Sequence, residues 1–509
     1  MSKQILLTVR GCEQKNGEAE EIKLLHNTNQ TVLATMREGG FKLPSLCGVN
    51  GKCGKCMIKF KGTAPLPTPS ERIWLAPDQL RDGFRLACMA KPVTDSVVET
   101  AFLKDAEIAI VVENKLEKEL DLNGAAEVQK VRHQMHGYCT PEIETFAAVD
   151  LGTTTIVMQL VECITGKIWD TYTCLNPQSV YGADVISRIQ AGSEGGGERL
   201  RKLVIDALES GMRQLEESAI GNKLCKPTKI MIAGNTVMGH LLLGYPVKSL
   251  GECPFIPINI GEIEFELMGR HAVLIPGISA FVGGDVVSGL YAMGLHNMNT
   301  DKNENWLFLD LGTNAEMAAG DERHIFCTAA AAGPAFESKG ERKDIGTARI
   351  QATAKLLEKG RMDSTGLLQD AYFEDGIECD GILITQKDIR EIQTAKAAVR
   401  SGIHYLKEKM GWSSYDEIDK VYLAGGFGFY LDKESAARIG LIPCLLKDKI
   451  MTVGNTALAG AVLYGQKSHK DHEDEESRIL EDIANEALFF NLAGEQDFEK
   501  TYIGYIDFE

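Results

Sequence analysis

No stretch constrains this chain more than one it carries twice. Val149-Asp150-Leu151-Gly152-Thr153-Thr154-Thr155 returns, altered, as Leu309-Asp310-Leu311-Gly312-Thr313-Asn314. In each copy apolar residues lead into an aspartate, a glycine follows, and hydroxyl or amide side chains come next. A strand that turns at such a glycine offers backbone N–H groups and hydroxyls to an anion. The aspartate can hold a cation beside phosphate oxygens, directly or through water. Two further pairs of segments recur in the same order: Ile230-Met231-Ile232-Ala233-Gly234-Asn235 with Val421-Tyr422-Leu423-Ala424-Gly425-Gly426, and the run opening at Gly284-Asp285 with the run opening at Gly454-Asn455. Three like segments in one order indicate an internal duplication with insertions of unequal length.

At 509 residues the chain exceeds a single hydrophobic core, which predicts two to four domains. Its 44% hydrophobic and 25% charged residues are ordinary for a globular protein. The net charge of −18 argues against general nucleic-acid binding, which needs a basic surface. No apolar run approaches the roughly 18 residues of a membrane span. Met1-Ser2-Lys3 before the short run Ile5-Leu6-Leu7 lacks the core of a signal peptide. The expectation is a cytoplasmic protein with no membrane and no nucleic-acid partner.

Charge is unevenly spread. Residues 1–95 hold 14 Lys+Arg against 9 Asp+Glu, near +5, which leaves the remainder near −23. A positive module of this kind can dock on an acidic surface, its own larger part included. Within it, residues 3–10 and 21–25 read as strands, and 31–38 as a helix stopped by Gly39-Gly40. Then come Cys47, Cys53, Cys56 and, much later, Cys88, spaced C-x5-C-x2-C-x31-C. Three thiolates on one tight loop and a fourth on a distant segment can surround two irons and two sulfides. Glycines 48, 51 and 54 let backbone amides turn toward the sulfurs. A structural zinc site is the rival, but zinc knuckles usually come as two C-x-x-C pairs, and Cys47 and Cys88 have no near partner. The other nine cysteines are scattered and read as small buried apolar residues.

This region resembles the plant-type and adrenodoxin-like 2Fe–2S ferredoxins, with the five-residue first gap of the latter. The resemblance implies a β-grasp fold over residues 1–95 and a 2Fe–2S cluster on Cys47, Cys53, Cys56 and Cys88. Residues 96–145 begin with a strand-like tail, are too short and too charged to bury a core, and read as a linker with local structure; His133 and His136 on it read as a solvated pair.

From residue 146 each half reads as strands followed by helices, consistent with two ribonuclease-H-like α/β lobes, 146–300 and 301–466, facing across a cleft. Gly425-Gly426-Phe427-Gly428 allows close backbone approach to a flat ligand. Gly283-Gly284-Asp285 opens a small-residue helix whose N-terminus can face phosphate. This order of segments resembles the actin and sugar-kinase superfamily of ATP-binding proteins. By that likeness Asp150, Gly152, Thr153 and Thr154 match one phosphate segment, and Asp310, Gly312, Thr313 and Asn314 the other. Gly425 and Gly426, with Phe427, match the adenosine segment, and Gly283, Gly284 and Asp285 a connecting helix. Asn235 and Glu316 are implied neighbours of Mg2+ or of the attacking water, and residues 333–337 line the cleft or form a plain turn. Residues 467–509 read as a charged break, an amphipathic helix from about Ser477 to Phe490, and an aromatic tail packing back on the ATPase domain.

The combination resembles the reductive activators of corrinoid proteins. It implies ATP-dependent, one-electron reduction of cob(II)alamin to cob(I)alamin through the 2Fe–2S cluster, in service of a cobalamin-dependent methyltransferase system such as anaerobic O-demethylation. Implied partners are a corrinoid protein and a low-potential electron donor, and the implied assembly is a homodimer through the ATPase domain. Some members carry an extra folded domain before the ATPase, which residues 96–145 are too few to hold. Another activator type carries its iron–sulfur centres at the C-terminal end, whereas no cysteine follows Cys444 here. Two alternatives stay open: an activator of another low-potential metalloenzyme, and a redox-gated regulatory protein with a degenerate ATP cleft.

Overall fold

A computed structural model describes residues 4–13, 19–39, 56–75, 77–99, 143–182, 184–296, 304–312, 314–333, 345–469 and 473–509. Cys47, Cys53, Thr313, the two histidines of the linker and residues 334–337 lie outside them.

The first unit is a five-stranded sheet in the order β2-β1-β5-β3-β4. Its strands are β1 (Gln4–Glu13), β2 (Ala19–Asn27), β3 (Met57–Lys61), β4 (Phe84–Leu86) and β5 (Ser96–Glu99). Helix α1 (Val32–Glu38) buries Val32, Leu33 and Met36 with Leu7, Val9, Ile58, Phe60, Leu86 and Val98. This is the β-grasp arrangement. Its edge differs from the sequence expectation, which ended the module at residue 95. Strand β5 runs parallel to β1 and antiparallel to β3, so it supplies the hydrogen-bonding neighbour that both need. Residues 96–99 belong to the sheet and not to the linker.

Two six-stranded sheets follow. In lobe 1 they are β6 (Thr145–Leu151), β7 (Thr155–Glu162), β8 (Ile168–Leu175), β9 (Lys229–Gly234), β10 (Ile263–Leu267) and β11 (Arg270–Leu274). The order is β10-β11-β9-β6-β7-β8. In lobe 2, β12 (Trp306–Leu311), β13 (Ala315–Gly320) and β14 (Ile325–Ala330) precede a small hairpin of β15 (Ile377–Cys379) and β16 (Ile382–Ile384); β17 (Lys420–Ala424), β18 (Ile450–Gly454) and β19 (Ala487–Phe489) complete the sheet. Its order is β18-β17-β12-β13-β14-β19. Stripped of β10 and β19, the two sheets are the same: three antiparallel strands, then two parallel ones beside the first. The registers agree as well, with Asp150 opposite Ala233 and Asp310 opposite Ala424.

Each sheet is covered by helices. In α2 (Gly197–Gly221) the buried residues Leu200, Val204, Leu208, Met212, Leu215 and Ala219 recur at helical spacing and face the lobe-1 sheet. Helix α3 (Thr236–Leu243) follows β9, and α4 (Gly284–Ala292) opens at the lobe junction. In lobe 2, α5 (Gln386–Lys409) starts at a Thr385–Asp388 capping box, α6 (Gly425–Tyr430) follows β17, and α7 (Thr456–Lys467) follows β18. Helices α4 and α7 cross closely enough for Ser288 Oγ to donate to the Ala457 carbonyl at 2.7 Å. Their buried residues join Phe146 and Met231 of lobe 1 to Phe308 and Tyr422 of lobe 2 in one apolar cluster.

The end of the chain differs in detail from expectation. Helix α8 spans Glu473–Glu486, and Phe489 belongs to β19, which pairs parallel with β14. Helix α9 (Phe498–Gly504) packs on lobe 2, where Tyr502 Oη donates to the Thr394 carbonyl at 3.2 Å.

Candidate functional site

Cys56 lies one residue before β3 and Cys88 two residues after β4, both buried. The antiparallel pairing of these strands brings the cysteines together: Cys88 N–H donates to Cys56 Sγ at 3.4 Å, and Ala87 N–H to the Cys56 carbonyl at 2.7 Å. The Cys56 thiol is held below its ordinary pKa, chiefly by its side-chain hydrogen bond with Cys88 and against burial. A Cys56 thiol lowered toward thiolate, with Cys88 beside it on the adjoining segment, fits a metal–sulfur centre. Glu71 positions the second segment. Its Oε1 accepts the Leu86 N–H at 2.8 Å, while its Oε2 closes a capping box with Thr68. Thr68-Pro69-Ser70-Glu71 is a readable capping signal that sequence analysis passed over.

The second site lies between the lobes. The strand–turn–strand Leu151–Thr155 is held from behind by three consecutive carbonyls. Gly152 O accepts Asn176 Nδ2 at 2.9 Å, Thr153 O accepts Arg188 Nη2 at 2.6 Å, and Thr154 O accepts the Asn176 N–H at 2.8 Å. In a trans peptide C=O and N–H point in opposite directions, so the following amides face the other way, toward any anion in the turn. Arg188 is fully buried and also donates to Gly182 O and Gln178 Oε1.

Four carboxylates converge here. Burial pushes Asp150 up to about 7, with Asp285 adding to it and a hydrogen bond from Asn455 opposing. Burial raises Asp285 to about 6. Asp310 stands at about 7 through burial, then through the charges of Asp285 and Asp150. Glu316, the register partner of Asp310, is raised well above the ordinary carboxylate range by burial and by Asp285 and Asp310. The charges acting on these groups are mainly one another's. Buried oxygen donors of this kind suit a hard divalent cation, whose arrival would reverse each shift.

The duplication is visible in the cleft and so is its breakage. Asp285 and Asn455 are the echoed residues that begin α4 and cap α7. Asn455 reaches across from lobe 2 and donates Nδ2 to Asp150 Oδ2 at 2.7 Å. Its counterpart Asp285 reaches across from lobe 1 and sets a negative charge beside Asp310. The register partner of Asp150 is Val157, where Asp310 has Glu316. One half therefore holds its aspartate with a neutral donor, while the other gathers three acids. The acidic cluster that could hold a cation is gathered in the second half.

Other residues named from sequence fall as follows. Gly312 N–H donates to the Asn314 carbonyl at 2.8 Å and makes the second turn. Gly425 has φ +79°, and a Cβ there would strike Asp310 Oδ1, so the α6 entry runs against the aspartate. Gly426 is the second residue of that helix, but Phe427 is buried in the lobe-2 core and backs the helix from inside. Gly283 and Gly284 serve close backbone packing, since a Cβ would meet the Thr236 N and Gly234 O atoms at the first and Ile275 O at the second. Asn235 caps α3, its Oδ1 accepting the Val237 N–H at 3.0 Å. Arg188, Asn176 and Asn455 are the site residues that sequence reasoning missed. Only Asn455 had a signal, its place in an echoed segment.

Comparison with known proteins follows this division. A profile described as a 2Fe-2S iron-sulfur cluster binding domain matches residues 15–93. The RACo middle region matches 146–298, and the C-terminal domain of RACo, the ASKHA domain, matches 304–348 and 343–508. A corrinoid activation enzyme, RamQ, from Eubacterium limosum is 29% identical over 428 residues, 70% of this chain and 69% of that protein. A reductase of the Co(II) methylated amine-specific corrinoid protein from Methanosarcina barkeri is 24% identical over 382 residues, 61% of this chain and 68% of its own length. A solved structure, a reductive activator for a corrinoid, iron-sulfur protein, superposes with a TM-score of 0.62 at 22% identity, covering 99% of this chain and 98% of the other. At that identity the superposition speaks for the fold.

Proposed function

We propose, since this chain belongs to the family of RACo-type reductive activators of corrinoid proteins, that it hydrolyses ATP to return a corrinoid protein from cob(II)alamin to cob(I)alamin, one electron at a time. The observation that carries the ATP reading is the interlobe cleft, where one buried and three half-buried carboxylates meet beside two glycine turns on the same chain as a cysteine module.

A 2Fe–2S cluster on Cys47, Cys53, Cys56 and Cys88 supplies a one-electron carrier of low potential. Glu71 and the β3–β4 pairing keep Cys56 and Cys88 side by side. In the cleft, Asp285, Asp310 and Glu316 would hold Mg2+. The Thr153 and Thr154 amides and hydroxyls, backed by Arg188 and Asn176, would hold phosphate. Gly425 and Gly426 would pass along the nucleoside. Asn455 keeps Asp150 in place whether or not a cation is present, while Asp285 and Asp310 repel until one arrives. Closure of the second half is therefore cation-dependent, and nucleotide can favour one lobe arrangement over another.

Such coupling is needed because reduction of cobalt runs uphill. A plant-type cluster sits near about −400 mV, the cob(II)/cob(I) couple is proposed to lie lower, and each 100 mV costs an electron about 2.3 kcal/mol. Asp310→Ala should leave a reducible cluster and abolish repeated reductions. Unchanged multiple turnover by that variant would refute the scheme. The proposed setting is a methyltransferase system that loses cob(I)alamin by accidental oxidation.

A further inference from the structure

Three side chains of unlike chemistry meet where lobe 1 begins. Glu144 precedes β6, Cys163 follows β7 and His469 lies two residues past α7. One donor atom of each lies within 4.8 Å of the others. The Cys163 side chain is buried, and His469 Nε2 stands 3.4 Å from Glu144 Oε2. Groups other than these donors set the geometry. Cys163 N–H donates to the Glu144 carbonyl at 3.0 Å, Gln466 Nε2 to the Ile164 carbonyl at 3.1 Å, and Ser468 Oγ to the Tyr464 carbonyl at 2.7 Å. The three donors are thus brought together before any ion binds.

We propose that Glu144, Cys163 and His469 form a site for a borderline divalent cation, Zn2+ above others, with the fourth position left to water. A thiolate with an imidazole selects zinc over magnesium or calcium, and one carboxylate completes a three-ligand set. The cleft between the lobes offers oxygen donors alone, so the two sites take different metals. Cys163 supplies the dry side, while Glu144 and His469 are exposed and give the ion its path in. On binding, the thiol gives its proton to solvent. The bound ion would clip the entry of lobe 1, which follows directly on the segment from the β-grasp module, to the far end of α7. Asn455 caps the other end of that helix, so the clip fixes α7 from the side away from the cleft.

The test uses the full-length protein with its iron loaded, exposed to one equivalent of zinc sulfate and dialysed into metal-free buffer. We expect one retained zinc per chain and a zinc K-edge spectrum with a single sulfur at about 2.3 Å and nitrogen or oxygen at about 2.0–2.2 Å. Cys163→Ser and His469→Ala should each cut zinc retention at least tenfold with iron content unchanged. Glu144→Gln, on a largely exposed side chain, keeps the fold and should loosen zinc as well. The site is refuted if wild-type protein retains no zinc, if the variants retain it equally, or if the shell holds no sulfur or several. Several sulfurs would place the ion on the cluster cysteines, an adventitious ion only.

Discussion

Arg188 shows what single residues contribute to the cleft. It is a buried guanidinium that donates to Thr153 O, Gly182 O and Gln178 Oε1, among other contacts. Arg188→Met would leave those acceptors unpaired at about 1–3 kcal/mol each where water cannot reach. We expect a clear fall in melting temperature and a KM for ATP raised about tenfold, read by thermal melts and steady-state hydrolysis. The carboxylates give a pH dependence with a definite sign. Asp150, Asp285 and Asp310 titrate at about 7, 6 and 7 in the folded protein, above the ordinary carboxylate value near 3.8. Between these values the folded state binds more protons than the unfolded one, so stability falls as pH rises. Cation-free protein should therefore lose melting temperature as pH rises from about 4 through 7, with the raised Glu316 acting in the same direction. Saturating Mg2+ should flatten the slope. The aspartates were legible because strand, aspartate and glycine recur in sequence. Arg188 and Asn176 were not, because they act from 35 and 24 residues away on backbone carbonyls that carry no residue signature.

At the scale of elements, the crossing of α4 and α7 joins the lobes. A Cβ on Gly460 would strike Ser288, and one on Gly289 would meet Thr456 Oγ1 at 2.8 Å. Gly460→Val should destabilise by about 1–3 kcal/mol through overpacking, measured by denaturant unfolding, and reduce ATP turnover. Asn455 has two roles that substitution can separate. Its Oδ1 caps α7 at Leu458 N–H while its Nδ2 holds Asp150. Asn455→Ser keeps a capping oxygen and loses the longer amide arm whose Nδ2 reaches Asp150; Asn455→Asp keeps the cap and repels Asp150. Both keep the cap, whose loss alone would cost about 1 kcal/mol, and should stay close to native stability. The Asp variant alone should need several-fold more Mg2+ for half-maximal hydrolysis, as a second acidic pair then faces across the lobes. Equal Mg2+ requirements for all three proteins would count against the asymmetric cleft. Both lobes were foreseeable from the echoed segments. The placement of β5 was not, since Ser96–Glu99 is short and its neighbours β1 and β3 are distant in sequence.

The whole molecule joins residues 1–95, near +5, to a remainder near −23. Among the described residues no helix is long and apolar enough to cross a membrane. Charge of opposite sign on two parts of one chain steers their encounter and is screened over about 8–10 Å at ordinary salt. Raising salt from about 20 to 300 mM should slow corrinoid reduction several-fold while leaving ATP hydrolysis within about twofold; equal slowing of both would place the salt effect in the cleft. The central claim is that the cleft drives the electron. It is tested most directly by mixing the reduced, anaerobic protein with a cob(II)alamin-loaded corrinoid protein and excess reductant, then following cob(I)alamin by its visible spectrum with and without MgATP. With MgATP, cob(I)alamin should accumulate well beyond one equivalent per activator, and without it, or with Asp310→Ala, it should stop at or below one; the same yield in all three would contradict the account.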